Sequence, residues 1–496
     1  MIGILAAGLA SFAIVTQDQT PLRAAPYENA ARHAVLTQGD SLEVRGAKGD
    51  YLQVYDHHRE RAGYIRVTQA GLYDLKPGDA PRLRAVLEFL KDQPNQEALG
   101  IGHAAAFFKA APAEAIDAGA FEALGEMAGR LAWRASRLSG ADNEKSRTVS
   151  AHLEAAARYG VKFYSVERHE KVTLCYDGDA WRRLLALPST PAQKSRAALA
   201  LTRHDCVAPT LSATERLDAD RRRAEILESA LEDGARRGGL PAHLENRLKI
   251  RAAGVWAGLA HRLAQRPDSD PAAVLAAGQQ AETRLAGVDK NAFADGDRGA
   301  WNEAAIRVGA SRWAARPQTL AQAMPGRPGI RLVASDKPGQ TCVQVVAARA
   351  ATAQAPRPAT IAPEKPLTQC TYGRVWTSSL TVSQDGKLMT LAVQPLEDWR
   401  ELWVFRQERG GWLLDIVPPA ADRPETGYVE FAGWVPGNKQ FLVARETVVD
   451  GRSKTSFELW DRATLQVERS ADKPGNLSAF YRWQDATWKS GTVAIR

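Results

Sequence analysis

"YLQVYDHHRERAGYIRV", residues 51–67, sets two runs rich in Tyr, Leu, Val and Ile on either side of a charged centre that holds adjacent histidines. The first run alternates apolar and polar residues through Leu52 and Val54, the period-two pattern of a half-buried strand. The two runs are therefore expected to pair as a hairpin across Asp56 to Ala62. His57, His58, Arg59, Glu60 and Arg61 then form its solvated tip. A metal site at the two histidines would need a third and a fourth ligand at suitable spacing, and the neighbouring sequence supplies none.

Outward from this hairpin, the stretch from Pro21 to Val67 reads as short strands throughout. Leu42 and Val44 repeat the alternation, with Gly-Asp and Lys-Gly turns between the runs. Four pieces, "PLRAAP" (21–26), "VLTQGDSLEV" (35–44), "DYLQV" (50–54) and "AGYIRV" (62–67), occur in an order that resembles the bacterial Src-homology-3-like domain of exported proteins. The chain has Asp50-Tyr51 where members of that family more often have Gly-Trp. The resemblance implies a small SH3-like β-barrel over residues 18–75. It also implies a non-catalytic docking role toward peptidoglycan or an envelope protein, with Tyr51, Tyr55 and Tyr64 as candidate binding aromatics.

Before this domain runs "IGILAAGLASFAIV" (2–15), too short to cross a bilayer with margin and lacking a preceding Lys or Arg. It reads as the core of a secretory signal over residues 1–17, with small residues at Ser11 and Ala13 for cleavage. A buried segment is the alternative. The mature form is expected to have no stable membrane span and to be periplasmic or secreted. The four cysteines agree with export, because no Cys-x-x-Cys motif occurs and the spacing favours two local disulfides, Cys175–Cys206 and Cys342–Cys370.

Residues 76–325 change to a helical period. Asp79 precedes "APRLRAVLEFL" with Leu83, Val86, Leu87 and Leu90 on one face, and Phe121, Leu124, Ala128 and Leu131 repeat the pattern. Ser212 and Glu215 form a capping-box signature, Leu244 to Leu263 mark a further helix, and Asp270-Pro271 opens the next. No tetratricopeptide register fits, so the region is expected to be an irregular α-helical array. A β-hairpin near 161–176 interrupts it.

Residues 326–496 read as an all-β domain, blade-like sheets or a sandwich, with an exposed Pro-rich loop at 351–366. A loose repeat aligns Asp385-Gly386-Lys387 with Gly437-Asn438-Lys439 and Leu402-Trp403 with Leu459-Trp460. This is similar to β-propeller blades of the Asp-Gly-Lys-turn kind, though too few strands are present for a full propeller. Eight of the 13 tryptophans fall here. Trp399, Trp403, Trp434 and Trp460 are candidates for a binding surface if exposed and core residues if buried. The fold class is thus multidomain α+β.

Of the catalytic patterns, Gly100 to Ala105 lacks the strand that a dinucleotide fold needs, and Ser470 to Lys473 runs into a Pro-Gly turn instead of opening a helix. Cys206 beside His204 is assigned to a disulfide. No catalytic residue, metal or cofactor is assigned. The net charge of +8 is spread thin: residues 1–75 carry 7 basic and 8 acidic side chains, 76–325 carry 36 and 31, and 326–496 carry 22 and 18. That argues against the one-sided basic face of a nucleic-acid-binding protein. The expected function is a non-enzymatic envelope adaptor. An envelope hydrolase with carboxylates such as Glu170, Asp177 and Asp179 is the alternative, and nucleic-acid binding the second alternative.

Overall fold

A computed structural model describes residues 11–168, 171–319, 327–348, 366–420, 426–449 and 452–491. The chain forms two compact units, Met1–Leu211 with Glu232–Leu240 and Ser212–Leu231 with Pro241–Arg496. This division cuts the helical region in two where the sequence suggested one array between two β domains.

In the first unit, strands β1 (Ser11–Val15), β2 (Thr20–Arg23), β3 (Arg32–Leu36), β4 (Ser41–Lys48), β5 (Tyr51–Asp56), β6 (Arg61–Arg66) and β7 (Ala70–Tyr73) form one sheet in the order β3-β2-β6-β5-β4-β1-β7. Among the described residues no pairing closes it into a barrel. The β5–β6 hairpin has the expected register, from Tyr51 opposite Arg66 to Asp56 opposite Arg61. The segment that reads as a signal core or a buried segment reaches into this sheet. Residues 1–10 lie outside the described residues, but Ser11–Val15 is an interior strand between β4 and β7. Ala13 and Val15 pack with Leu22, Leu42, Leu52 and Ile65, while Ile14 joins a second core with Tyr73 and the helices. The strand is buried on both faces, which is why it reads as an unbroken apolar run.

Helices α1 (Ala80–Leu90), α2 (Glu97–Ala110), α3 (Ala118–Leu138) and α4 (Glu144–Arg158) supply that second core through Leu83, Leu87, Ile101, Phe107, Met127 and Leu131. Gly100 to Ala105 lies inside α2, as its composition suggested. Asp79 precedes α1 without a side-chain cap; its carboxylate accepts the Asp74 N–H instead. Strands β8 (Phe163–Arg168) and β9 (Lys171–Tyr176) form the expected hairpin, followed by α5 (Asp179–Leu185) and α6 (Pro191–Leu201). Cys175 is bonded to Cys206, and Tyr164 and Arg168 of the hairpin donate to the Cys206, His204 and Val207 carbonyls.

Helix α7 (Ala213–Arg237) crosses the division between units at Leu231, and Ser212 and Glu215 form the reciprocal cap at its start. The second unit continues with α8 (Ala242–Gln265), α9 (Pro271–Ala286) and α10 (Asp297–Ser311). Leu217, Leu259, Leu263 and Val274 of these helices share a core with Trp376 and Ala392 of the sheet, which explains why they belong with it.

Strands β10 (Gly329–Ala334), β11 (Thr341–Val346) and β12 (Thr368–Thr371) make a small sheet in which Cys342 and Cys370 sit opposite one another and are bonded. Each disulfide closes a loop of about 30 residues, worth about 3 to 4 kcal/mol in the chain-entropy model. Residues 351–365 of the Pro-rich stretch lie outside the described residues. The larger sheet contains two antiparallel meanders. One is β13 (Arg374–Val382), β14 (Leu388–Leu396), β15 (Trp399–Glu408) and β16 (Gly411–Val417); the other is β17 (Thr426–Trp434), β18 (Gln440–Val449), β19 (Arg452–Asp461) and β20 (Val467–Ala471). They join through a short parallel pairing of Trp399-Arg400 with Gly427-Tyr428. The repeat legible in the sequence falls at equivalent places: Asp385–Lys387 turns β13 into β14 and Gly437–Lys439 turns β17 into β18. Leu402-Trp403 and Leu459-Trp460 lie in the third strand of each meander. Helices α11 (Ser478–Trp483) and α12 (Ala486–Gly491) end the described chain.

Candidate functional site

The tip of the β5–β6 hairpin lines a groove of about 730 Å³ in the first unit. Its shape starts with Asp56, the last residue of β5. The Asp56 carboxylate accepts the backbone N–H groups of His58 (3.0 Å) and Arg59 (3.2 Å), an Asx-type turn that fixes the tip. It also accepts the Arg59 guanidinium at 2.6 Å. Arg59 reaches on to Asp40, at 3.2 Å, in the turn between β3 and β4. Arg158, at the end of α4, approaches Asp40 from the other side, and the Tyr159 hydroxyl donates to the Gly39 carbonyl. Gly39 has φ of 90°, and a Cβ there would strike the Ala98 carbonyl oxygen of α2. Only glycine lets this turn sit against the helices.

The floor of the groove is thus fixed and charge-balanced. Asp40 and Asp56 are almost inaccessible, their side chains 2% and 3% exposed, and each is matched to an arginine. Burial pulls the Arg59 guanidinium down, but Asp56 and Asp40 outweigh it and hold its pKa above the usual value. Burial beside Asp40 raises the Tyr159 hydroxyl well above the ordinary phenol range, so it stays a neutral donor. The groups a ligand can reach are His57 and His58 on one wall and Glu154 of α4 on the other, all exposed. Beside them lies an aromatic ledge. His57 meets the Tyr55 ring edge-on at 4.9 Å, and the Arg45 guanidinium lies 3.9 Å from the centre of that ring. Glu43 accepts from Arg45 at 3.1 Å and contacts His57 Nε2 at 2.7 Å, and these two partners hold its carboxyl below the usual range.

Behind the groove a second polar cluster ties the sheet to the helices. The His152 ring contacts Asp18 at 2.9 Å, Gln38 at 3.0 Å and Arg134 at 2.6 Å. Burial pushes the Asp18 carboxyl up, yet His152, the Gln38 N–H and Arg134 together keep it below its ordinary value. Nothing in the local sequence signals this cluster, since its members are separated by up to 134 positions.

The sequence-derived candidates divide sharply. Tyr55 belongs to the ledge, Tyr64 is half-buried on β6, and Tyr51 is buried. The tryptophan surface is corrected: Trp399, Trp403 and Trp460 are buried in the second unit, and Trp434 is half-buried against Phe431 and Phe441. Their strands turn them inward, and Trp403 and Trp460 donate their indole N–H groups to Glu401 and Glu458. No sugar ring can stack on a face already packed. Of the carboxylates weighed for hydrolysis, Glu170 lies outside the described residues. Asp177 accepts the Asp179 N–H, and Asp179 pairs with Arg183 at 2.8 Å. Cys206 is a disulfide partner and so is no thiolate nucleophile beside His204. Among the described residues no group of three or more His, Cys, Asp or Glu is arranged to hold a metal ion, and no helix is long and apolar enough to cross a membrane. No family model, curated protein or solved structure matches this chain.

Proposed function

We propose that the chain is an exported, non-enzymatic adaptor of the bacterial envelope that docks through an SH3-like domain over residues 18–75. The observation that carries this reading is the groove beneath the β5–β6 tip: a rigid, charge-balanced floor with His57, His58 and Glu154 presented on its walls and a Tyr55–Arg45 ledge beside it. Such a surface offers hydrogen-bond donors to a carboxylate and a carboxylate to an ammonium group. It suits a peptide that carries both charges, as the peptide portion of peptidoglycan or a partner protein's segment does. The two disulfides support an oxidising compartment. The two meanders of the second unit are read as blade-like units with a structural role.

Co-sedimentation of the full chain with purified peptidoglycan, alongside crosslinking in envelope extracts, tests the proposal. Retention or a specific crosslink that falls at least about tenfold in the His57→Ala/His58→Ala/Glu154→Ala variant is expected, as for loss of a few charge-assisted contacts. Equal retention of variant and wild type, with no groove crosslink, would overturn it.

A further inference from the structure

A groove of about 450 Å³ opens in the second unit between the end of α8, the start of α9 and the first residue of β13, within the range of about 300 to 1,000 Å³ typical of small-molecule sites. Its apolar wall is the outer side of a packed core. Leu263, Ala264, Val274 and Ala314 line the groove and share that core with the buried Trp376, while Leu275 and Pro317 extend the wall. Close packing behind it holds the wall in place before any ligand arrives.

Three arginines line the groove, and two of them are committed. Arg266 pairs with Asp268 at 2.9 Å, and Arg316 pairs with Glu282 at 3.2 Å and donates to the Ala315 carbonyl at 2.9 Å. Gln318 is committed as well: its amide nitrogen donates to the Trp313 and Arg316 carbonyls, and its oxygen accepts the Ser378 hydroxyl. Asp270, next to the groove, caps α9 by accepting the Ala272 N–H at 2.9 Å.

Arg374 differs. Half-buried at the start of β13, it makes no hydrogen bond from its side chain and no ion pair among the described residues. Its Nε is buried without an acceptor, whereas its two terminal nitrogens keep accessible surface. The charge lies 5.4 Å from the centre of the Trp376 ring, a contact that offsets it without accepting a hydrogen bond. Burial lowers its pKa, and no carboxylate acts to raise it again. A half-buried guanidinium with open donors and no counter-ion is half of an anion site.

We propose that this groove binds an amphipathic organic monocarboxylate. The terminal nitrogens of Arg374 take the carboxylate, and Leu263, Val274, Leu275 and Pro317 contact its hydrocarbon body. A planar guanidinium fork matches a carboxylate, a single unanswered charge suits one anionic group, and the apolar wall disfavours a bare inorganic ion.

Titration calorimetry of the full chain with hexanoate, acetate and hexanamide separates the two halves of the claim, because acetate carries the charge without the body and hexanamide the body without the charge. Hexanoate is expected to bind with a Kd near about 0.5 mM, and each control at least about tenfold more weakly. In Arg374→Gln the preference for hexanoate over hexanamide should disappear. Hydrogen exchange places the site: saturating hexanoate should slow exchange at the start of α9 and along β13 in the wild-type chain, a result that decides the matter even if Arg374→Gln fails to fold. No binding heat up to about 20 mM hexanoate, equal affinity for hexanoate and either control, protection gained only away from this groove, or an unchanged preference in Arg374→Gln would overturn the proposal.

Discussion

The two units meet the same problem, carboxylates and arginines drawn in between a sheet and helices, and solve it at different depths. In the first unit Asp40 and Asp56 are buried, but Arg59 and Arg158, which answer them, remain about a quarter exposed. Water reaches one partner of each pair, and the groups around them stay available to a ligand. In the second unit Arg400 and Glu430 are both shut away, with Arg400 also donating to the Gly309 carbonyl of α10 at 2.6 Å. Burial pulls the Arg400 guanidinium down to about 10 in spite of Glu430, which still leaves it charged at neutral pH. Depth therefore separates a surface that can recognise from a joint that fixes how α10 meets β15 and β17.

The sharpest way to break this contrast is Glu430→Gln. It removes the carboxylate that Arg400 and Arg312 share, and removing one member of a buried pair costs about 3 to 5 kcal/mol. Hydrogen exchange should accelerate across β15, β17 and α10, while the first unit's amides keep their protection. Unchanged protection in β15 and β17 would mean that water already reaches this joint.

A slightly smaller effect, of opposite sign, is expected at Glu446, which accepts the Tyr428 hydroxyl at 2.9 Å. Burial is the main cause that raises its carboxyl to about 7. In the unfolded chain an ordinary carboxyl releases its proton near pH 4.5. The folded form therefore loses stability as pH rises from about 4.5 to about 7, by about 3 kcal/mol in all. Glu446→Gln should stabilise the second unit by about that amount at pH 8 and change little at pH 4.5. His261 works in the other direction. Burial holds its imidazole down to about 4, so its contribution is lost as pH falls below the unfolded value near 6.5. The variant's stability maximum should accordingly move to higher pH, as read from denaturant titrations across that range. A gain at pH 8 no larger than that at pH 4.5 would show Glu446 to be ionised at no cost.

Next in size is Ile14→Ala, which also bears on what could be read in advance. The β5–β6 hairpin, the helix faces, the Cys pairs and the repeated turns were legible because each has a local signature: alternation, a 3.6-residue period, or a Gly with positive φ such as Gly386 or Gly437. β1 could not be told from a signal core because a strand covered on both faces has no alternation, and an apolar run of that length has the same composition as a signal core. The division of the helices between units was hidden as well, since it depends on which sheet each apolar face meets. The groove's far wall was equally out of view, because Glu154 lies about a hundred residues from the histidines it faces. Ile14→Ala should destabilise the first unit by about 2 kcal/mol or more. A chain beginning at Ile14, as cleavage after Ala13 would produce, should lose protection along β4 and β7. A fully protected sheet in that truncated chain would show that the strand adds nothing to it.

The smallest effect on stability is expected where the functional proposal concentrates. His57 and His58 are exposed, and the turn that carries them is held by the Asp56 carboxylate through backbone N–H groups, with neither imidazole taking part. His57→Ala removes one contact to Glu43 and an edge-on contact to Tyr55, both at the surface, so its stability should stay within about 0.5 kcal/mol of wild type. Arg59→Ala, by contrast, withdraws the cation shared by Asp40 and Asp56 and should loosen the tip itself, seen as faster exchange of the His58 and Arg59 amides. If the histidine variant loses binding while keeping those amides protected, the tip acts by contact. If it loosens the turn as Arg59→Ala does, the histidines belong to the scaffold, and the line drawn between an addressable surface and a buried joint fails at the place where it matters most.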